Sequence, residues 1–368
     1  MSSCGSTPAR HSGPRLSVPG FTKRCARLIA FGASLLIFAA TGWAQNAAVS
    51  TLSVDKAPIP DRTPAARDTR LSPRFPALYF TTYLNSISSQ ADSRPYWAPA
   101  EDETAVLGAE DPSILLNNDI IAFYGHPNSS NMGILGRHPI EELDTMLNKV
   151  ATEYAAANGG RGIRRAFYII FGTVWPEGEI GIINDALLTK WIQYGLEHDI
   201  LIFIDHQMGR YDPVGSLTRM LPWLRYPNVH LALDPEWRTT KPMKEIGSIT
   251  ADELNQVQQV MENYMVENNI PWERLLVIHQ FNWRMIMNRE QVKSDFERVR
   301  LVHCADGFGP PRIKRDSYAY NAQARNMPIK GFKLFYNSGL PGAGYDQPLL
   351  SPADVYALNP RPYVIMYQ

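Results

Sequence analysis

The sequence has little that could staple a fold or mark a charged partner. Only three cysteines occur in 368 residues, and Cys4 and Cys25 both stand before an apolar run near the N-terminus. Loss of that leader leaves Cys304 alone, which excludes an internal disulfide and puts the whole burden of stability on a core. Because Cys25 precedes the run, it cannot serve as a lipoprotein cysteine following one. The formal net charge is zero and no basic stripe stands out, so nucleic-acid binding is not expected. The first strand-like run ends in Tyr124-Gly-His-Pro instead of a glycine-rich phosphate turn, which argues against a dinucleotide-binding open sheet. No His-x-His closes that run and no HExxH occurs, so no diagnostic metal spacing is present and no cofactor is expected.

What is present begins with a leader. Arg10, Arg15, Lys23, Arg24 and Arg27 precede the apolar run Leu28 to Ala40, and Gly42-Trp43-Ala44 follows. Residues 1–44 therefore read as a secretory signal peptide cleaved after Ala44, placing the mature protein in the periplasm or outside the cell. An uncleaved anchor is the competing reading, but the run is short for a span, so no stable membrane insertion is expected after cleavage. Residues 45–117 carry Pro58, Pro60, Pro64, Pro73, Pro76, Pro95 and Pro99 among many Ser, Thr and Asp, a linker and extended segment.

From residue 118 onward strands and helices alternate. Strand-like runs occur at Ile120–His126, Arg165–Phe171, Ile200–Asp205, Val229–Trp237, Leu275–Phe281, Arg300–Asp306, Gly331–Tyr336 and Tyr363–Tyr367. Helices are expected after Pro139, over Asn184–His198 and Leu217–Leu224, from the capping-box pair Thr250 and Glu253, from Arg289, over Ile313–Asn326 and after Ser351. This rhythm over residues 118–368 predicts an α/β fold, a single (β/α)8 TIM-like barrel, with a doubly wound open sheet as the runner-up.

The stretch Val229–Trp237, VHLALDPEW, organises the functional reading. Leu231 and Leu233 alternate with His230, Ala232 and Asp234, a strand with two different faces. Two carboxylates, Asp234 and Glu236, stand two apart at its end, an expensive arrangement for a buried strand unless a polar site needs them. Active sites of such barrels lie at the carboxyl ends of the strands. Those ends supply Tyr124, His126, Asp205, His206, Asp234, Glu236, Trp237, His279, Gln280, Asp306, Lys333 and Tyr336. Each has a plainer alternative. Asp306 could cap the next helix, His126 and His279 could be satisfied core histidines, and Lys333 could pair with a carboxylate. Trp175, Trp237 and Trp283 could be core or loop platforms for sugar rings. Parity predicts that Ala122, Tyr124 and His126 face inward while Ile121 and Phe123 meet the helices.

The motifs IAFYGHP, NMGILG, LALDPEW, VIHQF, DGFGPP and GFKLFY, in that order, resemble an uncharacterised family of exported bacterial TIM-barrel-like proteins, described as hypothetical proteins or lipoproteins. That resemblance implies a barrel over about residues 118 to 368 and no established activity. A weaker likeness is to chitinase-type glycosidase barrels, whose fourth strand ends in Asp-x-Glu; Asp234 and Glu236 match it. The upstream Asp-Gly-x-Asp of that motif is absent, its places being held by Val229, His230, Leu231 and Ala232.

Three functions fit these residues. The first is a secreted glycoside hydrolase-like enzyme on a cell-wall or environmental polysaccharide, with Glu236 as acid, its proton held by Asp234, and Asp205 or Asp306 as nucleophile or base. Tyr124, His126, His206, Trp237, His279, Gln280, Lys333 and Tyr336 would line the substrate path. The second is a metal-dependent hydrolase using His126, Asp205, His206, Glu236 and His279. The third is a non-catalytic glycan-binding barrel.

Overall fold

A computed structural model describes residues 114–270 and 272–368. The expected signal peptide and nearly all of the proline-rich segment lie outside the described residues. Eight parallel strands close into a barrel: β1 Asn118–Gly125, β2 Gly162–Val174, β3 Ile200–Gln207, β4 Val229–Asp234, β5 Arg274–His279, β6 Val299–Ala305, β7 Ile329–Leu334 and β8 Val364–Tyr367. Each pairs with its successor, and β8 returns to β1 with Ala122 opposite Met366. The fold is therefore the single TIM-like barrel expected from the alternation. A short antiparallel strand, Ile180–Ile182, folds back on the end of β2.

Two concentric apolar layers follow from the period-2 alternation. Ile121, Phe123, Leu231, Leu233, Leu276 and Ile278 face the helices, while Ala122, Tyr124, Ala166, Tyr168, Phe203, Ala232 and Val277 fill the lumen. The lumen alternates large and small: Tyr168 stacks on Phe203 at 5.1 Å, with Ala122, Ala166 and Ala232 leaving room. Leu231 and Leu233 are fully buried, each contributing about 1.5–3 kcal/mol.

The helices are held by ordinary devices. In α1, Ile140–Ala155, the residues Ile140, Leu143, Leu147, Ala151 and Tyr154 make one buried stripe. Helix α2, Asp185–Glu197, starts on Asn184, whose side chain accepts the Ala186 and Leu187 N–H groups. After β3, helix α3 spans only Pro213–Thr218, and Leu221–Arg225 is a separate 3-10 turn; the expected Leu217–Leu224 helix is divided between them. Helix α4, Ala251–Glu267, has the predicted capping box of Thr250 and Glu253. Helix α5, Pro311–Ala322, is capped at Pro310, so Asp306 is not its cap. The short α6, Pro352–Tyr356, opens on a second capping box of Ser351 and Asp354.

The connection from β5 to β6 departs from expectation. Arg289–Gln291 forms a single 3-10 turn after a left-handed Asn288, not a helix. Tertiary bonds capture this backbone instead: the Asn255 side chain accepts the Lys293 N–H, Gln258 donates to the Lys293 carbonyl, and Asn326 donates to the Arg289 and Val292 carbonyls. Those bonds satisfy the polar groups that a helix would have satisfied internally. Among the described residues, no helix is long and apolar enough to cross a membrane.

Candidate active site

The carboxyl ends of the strands converge as the barrel predicts. Strand β4 ends at Asp234, where Pro235–Trp237 turns into a 3-10 turn and the Glu236 N–H donates to Asp234 Oδ1 at 3.1 Å. Strand parity therefore stops at Pro235, and Glu236 takes its direction from the turn. Asp205 on β3 pairs across the lumen with β1, accepting the Tyr124 hydroxyl at 3.1 Å on Oδ2. His279 ends β5 at the centre of the group. Its Nε2 is 2.8 Å from the Tyr168 hydroxyl and 3.8 Å from Asp205 Oδ2, and its Nδ1 is 3.2 Å from Asp306 Oδ2, within ion-pair range but not aligned as a hydrogen bond. The Lys333 ammonium sits 3.7 Å above the Tyr124 ring, a cation–π contact.

The loop after β1 crosses this end at Gly133. Gly133 has a φ of +82°, and a Cβ there would lie 2.2 Å from the Tyr124 carbonyl oxygen. Only glycine lets the loop cross so closely over the strand end, and the Ile134 N–H donates to that same carbonyl at 2.9 Å.

Burial and crowding set the charges. Burial pushes Asp234 up to about 7, with Asp306 and Asp205 adding to the effect and His279 and Lys333 opposing it. Glu236 is held well above the ordinary glutamate range by burial, then by Asp234 and Asp306. Asp205 is raised by burial, against the pull of His279, Lys333 and the Tyr124 hydroxyl. For His279, burial alone would favour the neutral ring, but Asp306, Cys304, Asp205 and Asp234 lift it well above the ordinary imidazole range. The group thus contains a proton-holding pair, Asp234 and Glu236, beside carboxyls in contact with a buried histidine. That combination is what general acid–base chemistry requires.

Not every expected residue joins. His206 follows Asp205 and so points to the helix side, against Phe171 at 5.9 Å, and burial and Arg219 lower it to about 4. Gln280 is likewise turned outward, its Oε1 bound to His303 Nε2 at 2.8 Å in a buried network with Lys330 and Asn321. Tyr336 stacks on Tyr367 at 5.1 Å outside the lumen. His126 lies in the loop past β1, where Nδ1 accepts the Asn128 N–H. Trp237 is partly exposed in the turn after Asp234. With His206 turned away, the proposed metal ligands do not meet, and among the described residues no three His, Cys, Asp or Glu side chains are arranged to hold an ion.

Two groups were absent from the sequence reading. Tyr168 binds His279 from the middle of β2, where it reads as core; its parity with Ala166 and Ile170 was the available signal. Lys314 and Asp346 make a buried ion pair at 3.3 Å behind the site, from a helix and a loop with no motif to mark them.

No family model matches the chain, and no curated protein sequence matches it. Solved structures of similar architecture include a 2,3-dimethylmalate lyase of the PEP mutase/isocitrate lyase superfamily, with 9% identity, coverage of 79% of this chain and 80% of the other, and a TM-score of 0.39. A chitinase from Ipomoea carnea has 11% identity over 67% of this chain and 93% of its own, with a TM-score of 0.37. A family 18 N-acetylglucosaminidase from Paenibacillus barengoltzii has 11% identity over 62% and 76%, with a TM-score of 0.33. Chitinase-type barrels thus stand among the structural neighbours, alongside barrels of other chemistry. Any chemistry for this chain has to be argued from its own residues.

Proposed function

We propose that the chain is an exported glycoside hydrolase-like enzyme acting on a cell-wall or environmental polysaccharide. The observation that carries this reading is Glu236, a half-buried residue at the barrel mouth whose carboxyl is held in its protonated form by burial, Asp234 and Asp306. Glycosidic cleavage needs one carboxylic acid to protonate the leaving oxygen and a second carboxylate to attack or to activate water. Glu236 is the acid. Asp306 is the nucleophile or base, because it is 6% exposed whereas Asp205 is 0% exposed and already bound by Tyr124. Asp306 Oδ1 is buried with no partner, an unsatisfied acceptor that a water or a sugar hydroxyl would complete. Trp175 and Trp283, 40% and 55% exposed on loops after β2 and β5, are platforms of the kind on which a sugar ring lies. Glu236→Gln preserves the shape of the side chain but cannot donate a carboxylic proton. Turnover on a panel of polysaccharides should fall by about 10²–10⁴ with melting unchanged. Full activity in that variant would remove Glu236 from the mechanism. A wild type that binds glycans without turnover would make the barrel a binding module instead.

A further inference from the structure

His279 is 0% exposed and cannot touch a substrate, yet every charged group of the site surrounds it. Strand β1 contributes Tyr124, β2 Tyr168, β3 Asp205, β4 Asp234 followed by Glu236, β6 Cys304 followed by Asp306, and β7 Lys333. Strand β8 contributes the uncharged Met366. Both ring nitrogens face oxygen: Asp306 Oδ2 at 3.2 Å from Nδ1, and Tyr168 Oη at 2.8 Å with Asp205 Oδ2 at 3.8 Å from Nε2. A neutral imidazole has a donor on one nitrogen and a bare lone pair on the other. A lone pair on Nδ1 would face Asp306; one on Nε2 could accept the Tyr168 hydroxyl but would still lie beside Asp205, with little solvent to screen the repulsion. The doubly protonated ring directs a positive N–H toward both carboxyls.

We propose that His279 is a permanent imidazolium, a positioning residue set between Asp205 and Asp306 that supplies these two carboxyls, rather than Asp234 and Glu236, with a counter-charge at contact distance. This cation rests on the glycosidase-like reading for its purpose, but not for its existence. Four carboxyls crowded around one lumen cannot all ionise. A fixed cation between Asp205 and Asp306 favours negative charge on the carboxyls nearest to it. Removal of the cation leaves the two carboxyls beside it, Asp205 and Asp306, without their shared counter-charge.

The test needs no substrate. In the full chain labelled with 15N-histidine, long-range 1H–15N spectra at about pH 8, where an ordinary imidazole of pKa about 6.5 is neutral, should show one of the eight histidines with both nitrogens protonated. That signal should vanish in His279→Gln. If His279→Gln does not fold, Tyr168→Phe should shift the same signal by removing the Nε2 partner. Neutral rings at every histidine would overturn the proposal. A second readout is the pH–rate profile of His279→Gln, whose acid limb should move up by about 1–3 units as the opposite charge is lost; a uniform drop with no movement would reduce His279 to packing. A charged His279 together with a fully active Glu236→Gln would sink the glycosidase-like reading and leave this inference standing. A neutral His279 with an inactive Glu236→Gln would do the reverse.

Discussion

Asp234→Asn should make the protein more stable at neutral and alkaline pH while impairing the site. Asp234 is 2% exposed, so little solvent screens its charge. Its carboxyl titrates at about 7 in the fold, chiefly because burial penalises the anion, against about 3.9 in an unfolded chain. Between those values the folded protein holds a proton that the unfolded chain has released. Its contribution to stability is therefore complete below about pH 4 and is lost as pH rises through about 7. The difference of about three pH units, at 1.36 kcal/mol each, corresponds to on the order of 4 kcal/mol. Asparagine mimics the protonated carboxyl and keeps the Oδ1 that accepts the Glu236 N–H at 3.1 Å. The variant should match wild type near pH 4 and exceed it near pH 8 by roughly 1–4 kcal/mol, the lower part of that range allowing for readjustment of Asp205, Glu236 and His279. Denaturant unfolding followed by tryptophan fluorescence at both pH values, with equal m-values, measures this difference. A variant less stable than wild type at pH 8, or an equal difference at both pH values, would refute the reasoning. In the same variant the Glu236 proton should leave at lower pH, pulling the alkaline limb of any rate profile downward.

Two further outcomes follow from other parts of the chain. The buried Lys314 ammonium donates to the carbonyls of Gly307 and Lys333, while its partner Asp346 accepts the Gly309 and Phe335 N–H groups. Lys314→Met alone should cost about 3–5 kcal/mol by stranding Asp346, and Lys314→Met/Asp346→Asn should recover part of that loss; thermal melts decide, and no recovery would show that the pair is not coupled. The basic region and apolar run before Ala44 imply a mature chain starting near Gln45. N-terminal sequencing of protein from its native host checks this, and an intact cytoplasmic chain beginning at Met1 would be the contrary result.

The barrel was legible because its two strongest signals are local. Alternation along β1 and β4 separates Ile121, Phe123, Leu231 and Leu233 from Ala122, Tyr124 and Ala232, and the structure sends those sets to opposite layers. The capping residues Thr250 and Ser351 announce helices for the same reason: donor and acceptor lie three residues apart. The segment after β5 is not legible locally, because its backbone bonds go to Asn255, Gln258 and Asn326, partners about 35 residues away in sequence. No window of neighbouring residues contains that information. The β2 hairpin is equally hidden, since Gly172 to Val174 pair with a strand that reads as loop.

The candidate site shows how far one local rule reaches. Asp205 and His206 are consecutive, and so are His279 and Gln280, so in a strand only one of each pair can face the lumen. A site holding both members of each pair is therefore overfilled, and strict parity keeps Asp205 and His279 while releasing His206 and Gln280. Parity also places Tyr168 with Ala166 and Ile170 inside the barrel, yet it cannot say that a mid-strand tyrosine reaches the end of β5. That contact depends on the stagger between strands: Tyr124 lies opposite Tyr168, and Ile170 opposite Asp205, so a long side chain rooted one layer down meets a histidine rooted above it. Lys314 and Asp346 are further still from any pattern, because an ion pair between a helix and a loop has neither period nor spacing. What fixes them is the need to satisfy backbone groups just past Asp306 and Lys333 at the mouth. The catalytic candidates are thus readable from strand ends, whereas the residues that hold them in place become visible only when the barrel is closed.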